Sequence, residues 1–246
     1  MVPLEYVVRG VKKLTSGPVR TRLPITLDLL VQLRRSWYSE RRERDAVMLW
    51  AAASLCFFGF LRVGEIVVPS DSGFDPSWHL GVADVSVDNH ACPTYVAVRI
   101  KASKTDPFRQ GVTVYLGRTE GVVCPVAAML SYIVRRGASQ GPLFVFEDGK
   151  CLTRDRFVGA MRGALLAAGI DASKYAGHSF RIGAATTAAR KGVQDSLIKT
   201  MGRWESSAYT LYIRTPRETL RAVAGTLVSS NGGGQDGPAA VSTIGK

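Results

Sequence analysis

Gly177-His178-Ser179-Phe180-Arg181-Ile182-Gly183 opens a predicted helix with a histidine and an arginine three residues apart. That spacing puts both side chains on a shared helical face, about one turn apart. The amino end of a helix also favours an anion, because its first N–H groups have no partner within the helix. A histidine and an arginine beside that end suit a phosphate clamp. The same pair on an ordinary surface would be a satisfied polar pair, and the spacing alone does not separate the two readings.

Three other stretches carry chemistry-bearing residues. Gly59-Phe60-Leu61-Arg62-Val63-Gly64-Glu65-Ile66 directly follows Ala46–Gly59, a run that is almost wholly apolar. A guanidinium at that depth needs an anionic partner, either a carboxylate or a bound phosphate, and Glu65 is the internal candidate. Lys101-Ala102-Ser103-Lys104-Thr105-Asp106 lies between two predicted strands. A lysine on such a hairpin turn can swing into a neighbouring site, or be an ordinary exposed turn residue. Gly202-Arg203-Trp204 leads to Tyr209 and Tyr212, which can share one helical face. A tyrosine has a pKa of about 10 and needs help to act as a nucleophile. Nearby arginines supply that help by stabilising anionic charge; the competing reading is two half-buried aromatic packers.

Around these stretches the pattern is mainly helical, with a small antiparallel sheet in the middle. Thr26 is placed to cap a helix running to about Trp37, and Arg41–Asp45 reads as a charged break. Ala46–Gly59 reads as a buried central helix. Val82–Val87, Tyr95–Ile100 and Val112–Leu116 read as short strands joined by polar turns. Pro125 starts a helix with Val126, Met129, Leu130 and Ile133 on one side. Helices follow at Phe157–Leu166, Ile182–Arg190, Val193–Met201 and Leu220–Leu227, with Thr153 as a cap and Gly169 and Gly192 as stops. The expected organisation is a stub and connector over residues 1–25, one domain over 26–228, and a loose Gly/Ser-rich tail over 229–246.

The 246 residues carry 32 Lys and Arg against 20 Asp and Glu, a net charge of +12. The excess sits at the two ends: ten basic and five acidic residues in 1–45, nine of each in 46–150, thirteen and six in 151–246. Basic surface drawn from both ends of the chain could follow a phosphate backbone, where the alternative is a charged face kept for solubility. Apolar runs such as Leu49–Phe58 fall well short of the ~20 residues that cross a bilayer, so no membrane partner is expected. Cys56, Cys92, Cys124 and Cys151 are scattered without a CxxC pair, which makes a zinc site or a disulfide framework a poor fit. His79 and His90 have no ligand-spaced partner, and no metal or cofactor is expected.

In combination and in chain order, these residues resemble the catalytic domain of the tyrosine recombinase/integrase superfamily, from about Thr26 to Leu227. Arg62 matches the first arginine box, Lys104 in Ser103-Lys104-Thr105 the lysine of the β-hairpin, and His178 and Arg181 the His-x-x-Arg box. Trp204 falls where many members have a second histidine and some a tryptophan, and Tyr212 matches the nucleophile. Lys101 and Tyr209 are the competing assignments; the Ser-Lys-Thr context favours Lys104, and the following Ile213-Arg214 favours Tyr212. The eight-residue step from Trp204 to Tyr212 is one shorter than in many bacterial members, which implies a local adjustment. The wording around the motifs looks most like recombinases of eukaryotic DIRS, Ngaro or Crypton mobile elements, and so implies a nuclear setting.

The resemblance implies attack by Tyr212 on a scissile phosphate of double-stranded DNA, giving a 3′-phosphotyrosine link and a free 5′-hydroxyl. Arg62 and Arg181 would hold the non-bridging oxygens. His178 would take the tyrosine proton or bond a phosphate oxygen, Lys104 would protonate the leaving oxygen, and Trp204 would contribute packing and one N–H donor. Religation would need neither ATP nor a metal, and copies of the chain would associate on DNA during synapsis. Superfamily members usually add an N-terminal clamping domain, which is expected to be largely missing here, with weak DNA binding as the consequence. A topoisomerase-like nicking enzyme and an impaired DNA-binding remnant are the alternatives.

Overall fold

The computed structural model describes residues 22–102, 110–204 and Thr210. Lys104, Tyr209, Tyr212, residues 1–21 of the stub, the helix expected at Leu220–Leu227 and the tail lie outside the described residues.

The fold is organised about one apolar helix. Helix α1 (Leu27–Glu40) starts at Thr26, whose hydroxyl accepts the Leu29 N–H at 3.3 Å. It buries Leu30, Leu33 and Trp37. Helix α2 (Glu43–Phe58) is buried at every position from Ala46 to Phe57, as its nearly unbroken apolar sequence requires. The break before it is shorter than expected. Glu43 and Asp45 are already helical, and acidic side chains in a first turn suit the positive end of the helix dipole.

Helix α2 packs against α1, α3 (Pro125–Arg136) and α5 (His178–Arg190). Helix α4 (Arg154–Ala167) packs on α1, where the Trp37 indole N–H donates to the Ala160 carbonyl at 3.1 Å. Thr153 caps α4, and Gly169 and Gly192 follow α4 and α5 at φ +73° and +75°. Helix α6 (Asp195–Gly202) packs on α5.

Strands β1 (Val85–Val87), β2 (Tyr95–Ile100) and β3 (Val112–Gly117) form an antiparallel sheet in that order, with Val85 opposite Val98 and Ile100 opposite Val112. The first strand is shorter than its alternation suggests. Val82–Asp84 is a 3-10 turn, because the Asp84 carboxylate accepts the Gly81 N–H at 2.8 Å and curls the backbone back on itself.

Two contacts fix how the chain approaches the region of Arg62 and Arg181. Residues 22–26 cross α5 directly: the Ile25 N–H donates to the Ser179 carbonyl at 2.9 Å. A Cβ on Gly183 would lie 1.8 Å from the Ile25 carbonyl oxygen, so only glycine admits this crossing. The loop after the Arg62 turn is tied to α4 by Asp71 and Arg156, which meet through paired contacts of 2.5 and 2.8 Å. Hydrogen bonding from Arg156 holds the Asp71 carboxyl at about 2, below the ~3.9 of an unfolded chain.

Gly183→Ala should therefore destabilise the fold by about 2 kcal/mol in urea unfolding, the scale of overpacking. Gly163→Ala, at an exposed position of α4 with nothing within 4 Å of the added carbon, should stabilise it by about 0.5–1 kcal/mol. Equal effects of the two would contradict the packing at Ile25. The Asp71 pair contributes stability above the unfolded pKa and loses it as pH falls from about 4 towards 2. Arg156→Ala should flatten that part of the stability–pH curve.

Candidate active site

Helix α2 ends in a tight reversal rather than a simple stop. Gly59 follows Phe58, Phe60 takes a left-handed conformation at φ +51°, and the Leu61 N–H returns to the Cys56 carbonyl at 2.9 Å. Carbonyl groups at a helix carboxyl end carry partial negative charge and lack partners within the helix. Here two guanidinium groups meet them. Arg181 donates to the Phe60 carbonyl at 2.7 Å and to the Gly202 carbonyl. Arg203 donates to the Gly59 carbonyl at 3.3 Å and to Phe60 at 3.4 Å.

Glu65 supplies the counter-charge. It closes the 3-10 turn Val63–Glu65, with one carboxylate oxygen accepting the Arg62 backbone N–H at 2.8 Å. Its other oxygen meets an Arg62 guanidinium nitrogen at 3.1 Å. The oxygen on the Arg62 backbone also accepts from Arg203 at 3.1 Å. The carboxylate side chain is 4% exposed, Arg203 15% and Arg62 20%. Burial pushes the Arg203 pKa down; Glu65 works against that and Arg62 adds to it. Among the described residues, the three guanidinium groups here outnumber the one carboxylate, Glu65, and leave an excess of positive charge at the end of α2. Such a charge suits a phosphodiester, and suits better still the extra negative charge that gathers on a phosphate under attack.

The residues singled out in the sequence occupy distinct places. Arg62 and Arg181 both lie in this cluster, joined through Arg203 and the carbonyls it shares. His178 is exposed as the first residue of α5, while Arg181, one turn on, is 1% exposed. The Gly177 turn before His178 abuts Val63, where an added Cβ would meet the valine methyl at 3.0 Å. The amino end of α5 is thus beside the Arg62 turn. The Trp204 ring lies over the Arg181 guanidinium at 4.2 Å and meets Phe60 edge-on at 6.3 Å. Lys101, the alternative to Lys104, is committed elsewhere: its ammonium contacts Asp84 at 2.6 Å and the Pro76 carbonyl at 2.6 Å. Among the described residues, no group of three or more His, Cys, Asp or Glu side chains could hold a metal ion.

Arg203 is the member of the cluster that the sequence reading passed over. Its visible signal was a Gly-Arg pair at the end of a predicted helix, which says nothing about a partner 138 residues away. Gly202 explains the close approach of the indole, since a Cβ there would fall 1.6 Å from the Trp204 ring. Gly202→Ala must displace that ring and uncover Arg181, and should cost about 2 kcal/mol in urea unfolding. A loss below about 0.5 kcal/mol, the level of an ordinary surface change, would contradict the placement of Trp204.

No protein-family model and no curated protein matches the sequence. Solved structures do resemble the chain. XerH site-specific recombinase, bound to palindromic difH substrate in a post-cleavage complex, is 16% identical with a TM-score of 0.61, over 87% of this chain and 55% of that one. XerA recombinase is 18% identical with a TM-score of 0.59, over 87% and 66%. A lambda integrase dimer bound to a COC′ core site is 14% identical with a TM-score of 0.55, over 81% and 50%. The chain thus spans from half to about two thirds of the length of these proteins. At such identities the likeness is one of fold, and the fold is that of a tyrosine recombinase catalytic domain, mainly helical with a small antiparallel sheet.

Proposed function

We propose that the chain cuts and rejoins double-stranded DNA through a 3′-phosphotyrosine intermediate, with Tyr212 as the nucleophile. The observation that carries this reading is the pairing of Arg62 and Arg203 with the buried carboxylate of Glu65, with Arg181 on the Phe60 carbonyl that Arg203 shares, in a fold shared with site-specific recombinases.

In the proposed reaction the Tyr212 oxygen bonds to the scissile phosphorus and the bond to the 5′-oxygen breaks. Lys104 gives a proton to that leaving oxygen. His178, exposed at the start of α5, takes the tyrosine proton or bonds a phosphate oxygen; an imidazole can give or take a proton near neutrality, which suits either task. Arg62 holds a non-bridging oxygen with its forked donors. Arg181 has a second duty. At 1% exposure beneath Trp204 it secures the Phe60 and Gly202 carbonyls, and its contact with phosphate requires the indole to move. Trp204 therefore covers the arginine as well as packing on it. The phosphotyrosine link retains the energy of the broken phosphodiester, so rejoining to a new strand needs no nucleotide cofactor. Association of copies on DNA, origin in a mobile element and a nuclear location belong to the same proposal and rest on the wording of the motifs.

A duplex nicked so that its short 5′-hydroxyl fragment diffuses away after cleavage should trap the chain as a covalent adduct. Tyr212→Phe should form none. Persistence of the adduct in that variant would move the nucleophile to Tyr209. No adduct across a randomised pool of such duplexes would contradict the reading.

A further inference from the structure

We infer that Arg203 is a positioning residue of this site, acting on Arg62 through the carboxylate of Glu65. The inference rests on the strand-cleaving reading above and adds a residue to which that reading gave no role in the chemistry.

The backbone supplies the first argument. Arg203 ends α6 in the left-handed region, at φ 53° and ψ 47°, with its N–H donated to the Thr200 carbonyl at 3.0 Å. Glycine adopts this conformation freely and arginine does not. Among the described residues, Arg203 and Phe60 are the two non-glycine residues with positive φ. They touch: the Arg203 guanidinium donates to the Phe60 carbonyl at 3.4 Å. Backbone strain of this kind persists where the surroundings over-determine it, and it gathers at functional sites.

The side chain supplies the second. Arg203 reaches the carbonyls of Gly59, Phe60 and Met201 as well as Glu65, all between 3.1 and 3.4 Å. It therefore clamps the end of α2 to the end of α6. The Glu65 oxygen it holds is the one bonded to the Arg62 backbone, while the other orients the Arg62 guanidinium. Removing Arg203 leaves the carboxylate fixed on one side only. The plane of the Arg62 fork is then free to turn, although Arg62 itself remains. A lysine could pair with Glu65 as a point charge, but it lacks the planar fork that meets a carboxylate and carbonyls together.

The test is single-turnover adduct formation on the nicked duplex, measured beside non-covalent affinity for the same duplex. Arg203→Asn suits the purpose because asparagine tolerates the left-handed conformation. It should slow adduct formation about a hundredfold, the scale on which a misplacement of about 1 Å acts, with affinity held within about threefold. Arg203→Lys should recover part of the rate. In a Glu65→Gln background, Arg203→Asn should slow the reaction by less than about threefold more, because residues acting along one path do not add. A rate in Arg203→Asn within about twofold of the unaltered chain, parallel losses of rate and affinity, or fully multiplicative losses in the double variant would overturn the inference alone. Failure of the unaltered chain to form any adduct would overturn the underlying reading, and this inference with it.

Discussion

The buried carboxylate of Glu65, held between two guanidinium groups, is the contact on which the rest of the site depends. Removing a carboxylate from water is unfavourable unless charge and hydrogen bonds are returned to it. Glu65 receives both, from the backbone and side chain of Arg62 and from Arg203. The arginines depend on it in turn. Without one negative charge, three guanidinium groups around the end of one helix would repel each other. The arrangement fixes the Arg62 fork against Glu65 and Arg203, whereas Arg181 stays covered by Trp204.

That geometry is made possible by close backbone approaches far from one another in the chain. Gly183 lets the segment through Ile25 lie on α5, and Gly177 lets the start of α5 approach Val63. Gly202 lets the Trp204 ring fold over Arg181. Gly177 sits where a side chain would push apart the elements that carry Arg62 and Arg181. The apolar helix α2 is the rigid member against which these approaches are made, and its carboxyl end, not its side chains, presents the acceptors for Arg181 and Arg203.

Much of the frame was legible in the sequence because its signals are local. Thr26 and Thr153 cap helices, Pro125 starts one, and Gly169 and Gly192 follow helix ends, all read from single residues and their neighbours. The length and apolarity of Ala46–Gly59 announced the central helix. The pairing of Arg62 with Glu65 was also visible, since three residues separate them. What escaped was long-range. Nothing near Arg203 in the chain points to Glu65, and nothing near Trp204 shows that it would cover Arg181. His178 and Arg181 were placed on one face by their spacing. Packing by α6 and its following turn nevertheless buries one and leaves the other exposed. The first strand was overestimated because Val82 fits the alternation but lies in the 3-10 turn that the Asp84 carboxylate closes ahead of the strand. Lys104 and Tyr212 lie outside the described residues, so their roles rest on motif and chemistry.

The most direct measurement is the chemical identity of the protein–DNA link. The adduct should be digested with protease, and the nucleotide-bearing peptide sequenced by mass spectrometry with the polarity of its DNA end determined. The account predicts one modified peptide, with Tyr212 joined to a 3′-phosphate and a free 5′-hydroxyl on the released strand. A link through a different residue, or attachment to a 5′-phosphate, would contradict it.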